Sequence, residues 1–254
     1  MIRGIYTAVS SLMTLEAKQG VITNNLANIN TPGFKQDELI ISQFDKIMLS
    51  NKDSLLNNFK TLGSMSIGSK IDSTRTKFTQ GTLKQTMNAT DFALSGPGFF
   101  TVTQNGNQYY TRDGSFILDL QGNLVTNTGA SVMGVNTNTG DVEPINLSGA
   151  SEITVDGFNN ININGRPIYR MRIYNFNDYR NLDKIANNLY SSTENGFEVL
   201  STKVQNKNLE TSEVDPAVEM VNLTNTLRSF ESSMKVLNYL DESLKISANE
   251  IGRV

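Results

Sequence analysis

Two helical rhythms at opposite ends of the chain limit what it can fold into more than any other feature. From Met220 the apolar residues recur in alternating steps of three and four: Met220, Leu223, Leu227, Phe230, Met234 and Leu237. The seam turns polar at Asp241 and resumes at Leu244, Ala248 and Ile251. Near the start, Ile5, Ala8, Leu12, Leu15, Ile22, Leu26 and Ile29 keep the same steps, with Gln19 as the polar member. This spacing holds one stripe of a slightly under-wound helix against a partner helix. Each end therefore predicts a helix that needs a neighbour, and the pattern points to an assembly subunit.

The first helix is predicted over about Ile2 to Asn28 and the last from Pro216 to Ile251. Asp215 is placed to cap the last helix, Pro216 fits its first position and Glu219 suits its dipole. Unbroken, that helix would be ~54 Å long and must lie against some surface. A second apolar stripe on the first helix, Tyr6, Val9, Met13, Ala17 and Val21, makes its greasy face wider than a two-helix seam requires. One position before the seam of the last helix run Asn222, Thr226, Ser229, Ser233, Val236, Leu240, Ser243 and Ser247. That stripe predicts either the edge of the seam or a surface facing water in a lumen.

Between the helices the pattern changes twice. From Lys35 to Arg75 it weakens: Ile40, Ile41, Phe44, Ile47, Met48 and Leu49 could form a short helix, followed by a polar stretch. From Lys77 to about Thr202 the period becomes two. Turn signals recur at Asn105-Gly106, Asp113-Gly114, Gln121-Gly122-Asn123, Asp156-Gly157, Asn164-Gly165 and Asn195-Gly196. Strands are predicted at Phe99–Thr103, Gln108–Thr111, Ser115–Asp119, Asn123–Thr126 and Tyr169–Phe176. The fold class is α+β, with terminal helices forming a coiled-coil layer and a central antiparallel all-β domain. The expected boundaries are 1–34 and 212–254 for the helical domain, 35–75 for an extended linker and 76–211 for the β domain.

Composition narrows the chemistry. The 254 residues carry a net charge of −3 and contain no Cys, His or Trp. Without imidazole or thiol, the Ser-His-Asp and Cys-His arrangements and the usual zinc sites have no donors. The charge balance gives no basic patch for nucleic acid, and no apolar run is long enough to span a membrane. Arg3 is followed by an amphipathic pattern with Glu16 and Lys18, not by the apolar core of a secretory signal. No catalytic, cofactor or metal site is expected.

Several stretches resemble a known family. Asn24-Asn25-Leu26-Ala27-Asn28 followed by Thr31-Pro32-Gly33-Phe34-Lys35 is similar to the signature closing the first helix in the bacterial flagellar basal-body rod and hook protein family. Gln80-Gly81-Thr82-Leu83, Asp91-Phe92-Ala93-Leu94, Gly96-Pro97-Gly98-Phe99-Phe100, Thr111-Arg112-Asp113-Gly114-Ser115-Phe116, Gly122-Asn123-Leu124-Val125-Thr126, Asn187-Asn188-Leu189-Tyr190 and Glu219-Met220-Val221 follow in family order. Chain length and a single β domain look most like the distal rod member and its close basal-body relative. The resemblance implies a structural, non-enzymatic subunit of the flagellar basal body, built as a homopolymer of identical subunits and joined to other rod and hook proteins. It implies delivery by the flagellar export apparatus of the type III pathway, to a place outside the cytoplasmic membrane. The implied subunit interface is Ile5, Leu12, Leu15, Ile22, Leu26, Met220, Leu223, Leu227, Phe230, Met234 and Leu237.

Taken on their own, the motif residues also have local readings. The Asn cluster would cap and end a helix, and Thr111–Phe116 reads as a strand with its Asp-Gly turn and nothing more. Two other classes remain to compare. A secreted adhesin or carbohydrate-binding β domain with helical arms would need an aromatic groove, for which Tyr109, Tyr110 and Phe116 are the local cluster. A carboxylate-dependent hydrolase would need a converging pair such as Asp113 and Asp119.

Overall fold

The computed structural model describes residues 2–53, 58–150, 152–194 and 196–251. Asn195 of the Asn195-Gly196 turn and the side chains of Leu49 and of Ile251, at the far end of the seam, lie outside this description. The chain divides into two compact units. One comprises Met1–Ala27, Asp37–Arg75 and Asp215–Val254; the other comprises Asn28–Gln36 and Thr76–Val214.

The first unit is built on two long helices, α1 (Ile2–Ala27) and α2 (Pro216–Ile251), which pack against each other. The cap of α2 forms as its sequence dictates: the Asp215 carboxylate accepts the N–H groups of Ala217 at 2.8 Å and Val218 at 3.4 Å. Gly4, early in α1, lies beside Leu240, late in α2. Leu240 lies only 11 residues before the end of α2, and α1 is 26 residues long, so the two helices can pair along their length only if they run antiparallel. The rest of this unit is strand. Asp37–Gln43 pairs with Ser69–Thr76, and Ile47–Asp53 with Asn58–Met65.

These strands correct the expected short helix through Ile40, Ile41, Phe44, Ile47, Met48 and Leu49. The apolar run is cut between Gln43 and Ile47, and its halves join different two-stranded ladders. Ile40 and Ile41 are β-branched and stiff at χ1, which suits a strand better than a helix. Phe44 donates its N–H to the Gly68 carbonyl at 3.1 Å. A partner that far along the chain leaves no mark on the local period.

The second unit is an antiparallel β structure whose main sheet has 13 strands among the described residues. Its centre is the hairpin Phe99–Gln104 with Asn107–Thr111. Asn105 and Gly106 close it with φ of 52° and 79°, the conformation that an Asn-Gly turn favours. Ser131–Asn136 pairs with the first hairpin strand through Val132↔Val102, and Leu189–Ser192 with the second through Tyr190↔Tyr110. The expected strand over Tyr169–Phe176 is broken into Arg166–Met171 and Ile173–Asn175, which pair with different neighbours.

Strand Phe99–Gln104 is buried on both faces, and alternation sends its side chains into two cores. Phe100 and Val102 join Phe92, Phe116, Leu124, Val132, Ile145 and Ile161 in the larger one. Phe99 joins Tyr110, Phe176, Leu182 and Tyr190 in an aromatic cluster on the other side. Gly114 shows why the Asp-Gly pair here is no ordinary hairpin tip. A Cβ on it would sit 1.6 Å from the Phe92 carbonyl oxygen, so the backbones cross too closely for any side chain.

Candidate assembly interface and the buried charge cluster

In the helical unit, Leu240 of α2 lies beside Gly4 of α1, and the residues one and two heptads before Leu240 share its line along the helix. Ser233 is half-buried and Thr226 only 3 % exposed, and Glu219, one heptad further back, is 2 % exposed. Leu223, Phe230, Leu237 and Leu244 flank this line and are half-buried. The rest of the predicted seam, Met220, Leu227 and Met234, falls on a separate line with heptad spacing and is exposed, Met220 by 59 %. The expected stripe of small polar residues is thus split. Asn222, Thr226, Ser233, Leu240 and Ser247 are buried or half-buried, while Ser229, Val236 and Ser243 are exposed. Small side chains let two helices approach closely, so the covered part of this line suits the seam's edge, one of the two places expected for it.

On α1, Leu12 and Ile22 are buried, Ile5, Leu15 and Leu26 are half-buried, and Tyr6 and Met13 are exposed. The polar side of α1 is also occupied. Thr7 Oγ1 donates to the Ile67 carbonyl at 3.1 Å, Ser10 Oγ accepts the Ser69 N–H at 3.4 Å, and Thr14 Oγ1 lies 3.3 Å from Ser69 Oγ. Three hydroxyls at helical spacing therefore hold residues 67–69. Their regular spacing was the available signal, and reading α1 for apolar periodicity alone misses it.

Asn25 does more than end the helix. It is buried, donates Nδ2–H to the Asp37 carbonyl at 2.9 Å and accepts the Asp37 N–H at 3.0 Å. The side-chain amide thus pairs with a backbone peptide as a neighbouring strand would. Asn24 is exposed. Asn28 accepts the Thr31 N–H at 3.1 Å and the Thr31 hydroxyl at 3.2 Å, closing the turn before Pro32.

The other motif residues belong to the β unit. Gly33 takes φ 65°, and a Cβ there would lie 2.4 Å from the Arg112 carbonyl. Its N–H donates to the Glu210 carbonyl at 2.8 Å. Phe34 is buried, with Lys184 Nζ 4.1 Å from its ring centroid. Lys35 reaches inward: its Nζ lies 2.5 Å from Glu210 Oε1 and donates to the Thr79 carbonyl at 2.5 Å. Arg112 Nη1 meets Glu210 Oε2 at 3.2 Å, and Gly81 donates its N–H to Glu210 Oε1 at 2.9 Å. Both carboxylate oxygens are thus claimed by cations. Burial pulls the pKa values of Lys35 and Arg112 down, and the Glu210 carboxylate pulls both back up.

Arg112 shows that Thr111–Phe116 does more than form a strand and turn. Arg112 and Glu210 were not singled out from the sequence as partners, because nothing local marks two charges that meet only in the fold. The aromatic trio proposed for a ligand groove is also absorbed by packing. Tyr110 and Phe116 are buried in different cores, and Tyr109 packs against the larger one. Asp113 and Asp119 are each fastened into their own turn, the first by Ser115 and the second by Gln121 and Asn123. Among the described residues, no His, Cys, Asp and Glu side chains group to hold a metal, and no helix is long and apolar enough to cross a membrane.

A chain whose two ends pair as long helices, with an antiparallel β unit between them in sequence, has the build of a structural subunit. Three family models agree along its length. The model described as "Flagella basal body rod protein" matches residues 5–35, "Flagellar hook protein FlgE/F/G D1 domain" matches 93–166, and "Flagellar basal body rod FlgEFG protein C-terminal" matches 205–251. The chain is 32 % identical to the flagellar basal-body rod protein FlgG of Buchnera aphidicola subsp. Schizaphis graminum, covering 96 % of this chain and 98 % of that protein. It is 29 % identical to the rod protein FlgF of Caulobacter vibrioides and 27 % identical to the hook-basal body complex protein FlhO of Bacillus subtilis, with both chains fully covered in each case. The chain belongs to the flagellar basal-body rod protein family.

Proposed function

We propose that this chain is a structural subunit of the flagellar basal-body rod that polymerises through its terminal helices into a tube. One observation carries the reading. Met220, Leu227 and Met234 line up at heptad spacing on α2 and remain exposed while the parallel line Leu223, Phe230 and Leu237 is half-buried. A seam with half its knobs uncovered is what a helix presents when further helices are to pack on it. Covering each such side chain would contribute up to ~1.5–3 kcal/mol. Identical copies supply matching surfaces, because Tyr6 and Met13 on α1 are exposed as well.

In this reading the terminal helices form an inner coiled-coil layer, and residues 76–211 form the β domain of each subunit. Ile5, Leu12, Leu15, Ile22 and Leu26 then belong to the helical layer along with the α2 seam. The names of the relatives extend the reading to the flagellar basal body and to other rod and hook proteins as partners, and the family resemblance adds delivery by the flagellar export apparatus to a position outside the cytoplasmic membrane. The tube would transmit torque and leave a passage for exported protein.

Electron microscopy of concentrated protein tests the polymer directly, with tubes as the expected result. A variant carrying Met220→Gln, Leu227→Gln and Met234→Gln should remain folded and form none. Tubes of unchanged form from that variant would overturn the role given to α2.

A further inference from the structure

We propose that Thr31–Lys35 is a releasable latch on the β unit, one that opens as a local cooperative step while both apolar cores stay folded. The proposal goes beyond the assembly reading and does not depend on it. Its basis is the set of places where the chain leaves the β unit. These exits follow Gln36 and Val214, and the entries come at Asn28 and Thr76. Within the β unit the segments beside these points are stitched to one another. Lys77 donates its N–H to the Gln36 carbonyl at 2.8 Å, Lys77 Nζ pairs with Glu213 at 3.4 Å, and Gly33 donates its N–H to the Glu210 carbonyl at 2.8 Å. Glu210 stands at the centre, holding Lys35 and Arg112 on its two oxygens.

The bonding of the latch differs in kind from that of the cores. Phe34 is buried but belongs to neither apolar cluster; its aromatic partner is the Lys184 ammonium, which also donates to the Lys35 carbonyl at 3.3 Å. Lifting the segment therefore removes no member of either core. It returns the Lys35 ammonium to water and leaves Glu210 paired with Arg112, and a buried ion pair gains little net energy over the same charges in water. Opening is then much cheaper than unfolding the sheet, the condition for a sub-global transition. Deleting one charge is different, because the remaining ion stays buried with fewer partners. The latch is thus weak to opening as a whole and sensitive to loss of Lys35.

Amide hydrogen exchange on the full, dilute chain tests this apart from any polymerisation. The reporters for the latch are the amides of Gly33, Lys77 and Gly81; those for the core are Val102, Val132 and Ile161. In the native chain the latch amides should exchange together and faster than the core amides. Lys35→Met should speed the latch amides at least about a hundred-fold, with the core amides still the slower set in the variant. Phe34→Leu, which removes the ring under Lys184, should act in the same direction. Latch and core amides that exchange at one common rate in the native chain would overturn the proposal, even if Lys35→Met failed to fold. So would a folded Lys35→Met whose latch amides are unaltered.

Discussion

Lys35 and Glu210 stand 175 positions apart in sequence and meet as an ion pair with each side chain only 1 % exposed. Removing either one leaves the other charge buried. Glu210→Ala would strand two cations at once, and Lys35→Met would leave the carboxylate to Arg112 and the Gly81 amide. Each change should destabilise the β unit by ~3–5 kcal/mol, read as a lowered urea midpoint. The pair Lys77–Glu213, whose lysine is 56 % exposed, supplies the contrast, since Lys77→Ala should change stability by under about 1 kcal/mol.

Asn25 presents both halves of its amide to the Asp37 peptide. Asn25→Ala should cost ~1–3 kcal/mol, because a buried donor and acceptor lose their partner together. Asn25→Asp should cost at least as much, since it replaces a donor with a carboxylate oxygen facing a carbonyl. The Asp37 amide is the specific probe, and its hydrogen exchange should accelerate in both variants.

Lys207 adopts φ 56° between strand Lys203–Asn206, which pairs with Phe92–Ser95, and strand Asn208–Glu210, which pairs with Leu83–Gln85. Its N–H donates to the Asp91 carbonyl and its carbonyl accepts the Thr86 N–H, both at 2.8 Å, so the left-handed conformation is fixed at both ends. A side chain there costs ~1–2 kcal/mol that glycine avoids. Glycine gives back part of this gain through a freer unfolded chain. Lys207→Gly should raise stability by up to ~1 kcal/mol in thermal unfolding. Gly33→Ala should do the reverse by several-fold more, because its Cβ would collide with the Arg112 backbone.

Burial holds the Asp113 carboxyl above its ordinary range, against the lowering effect of its bonds from Ser115. The folded state therefore binds this proton more tightly than the unfolded chain does. The stability it contributes is full below the ordinary carboxylate value and is lost as pH rises through the raised one. Asp113→Asn keeps an acceptor for Ser115 and removes the titration. Over that window its unfolding free energy, relative to the native chain, should climb with increasing pH.

The parts of the fold governed by local rules could be read in the sequence. The start of α2 follows from Asp215-Pro216, the centre of the β unit from Asn105-Gly106 between two alternating runs, and the end of α1 from Pro32 and Gly33. The unreadable parts depend on distant partners. Ile40 to Leu49 takes its strand form from ladders whose other halves lie beyond Gln43, and the apolar period alone cannot tell those halves from a helix turn. Glu210 gives no sign in sequence of having two cations, since neither Lys35 nor Arg112 is near it along the chain. The heptad lines of α2 follow from their spacing in the sequence. Which line is covered does not, because Thr226 and Ser233 are buried or half-buried while the larger Met220 and Leu227 are exposed.

Two members of the outward line on α2 are methionines, and both are exposed. A mild oxidant would convert them to sulfoxides and turn a greasy ridge into a polar, chiral one. The same atoms would be shielded once another helix lay across them. The reactivity of Met220 and Met234 toward peroxide is therefore a built-in gauge of how much of this ridge has been covered.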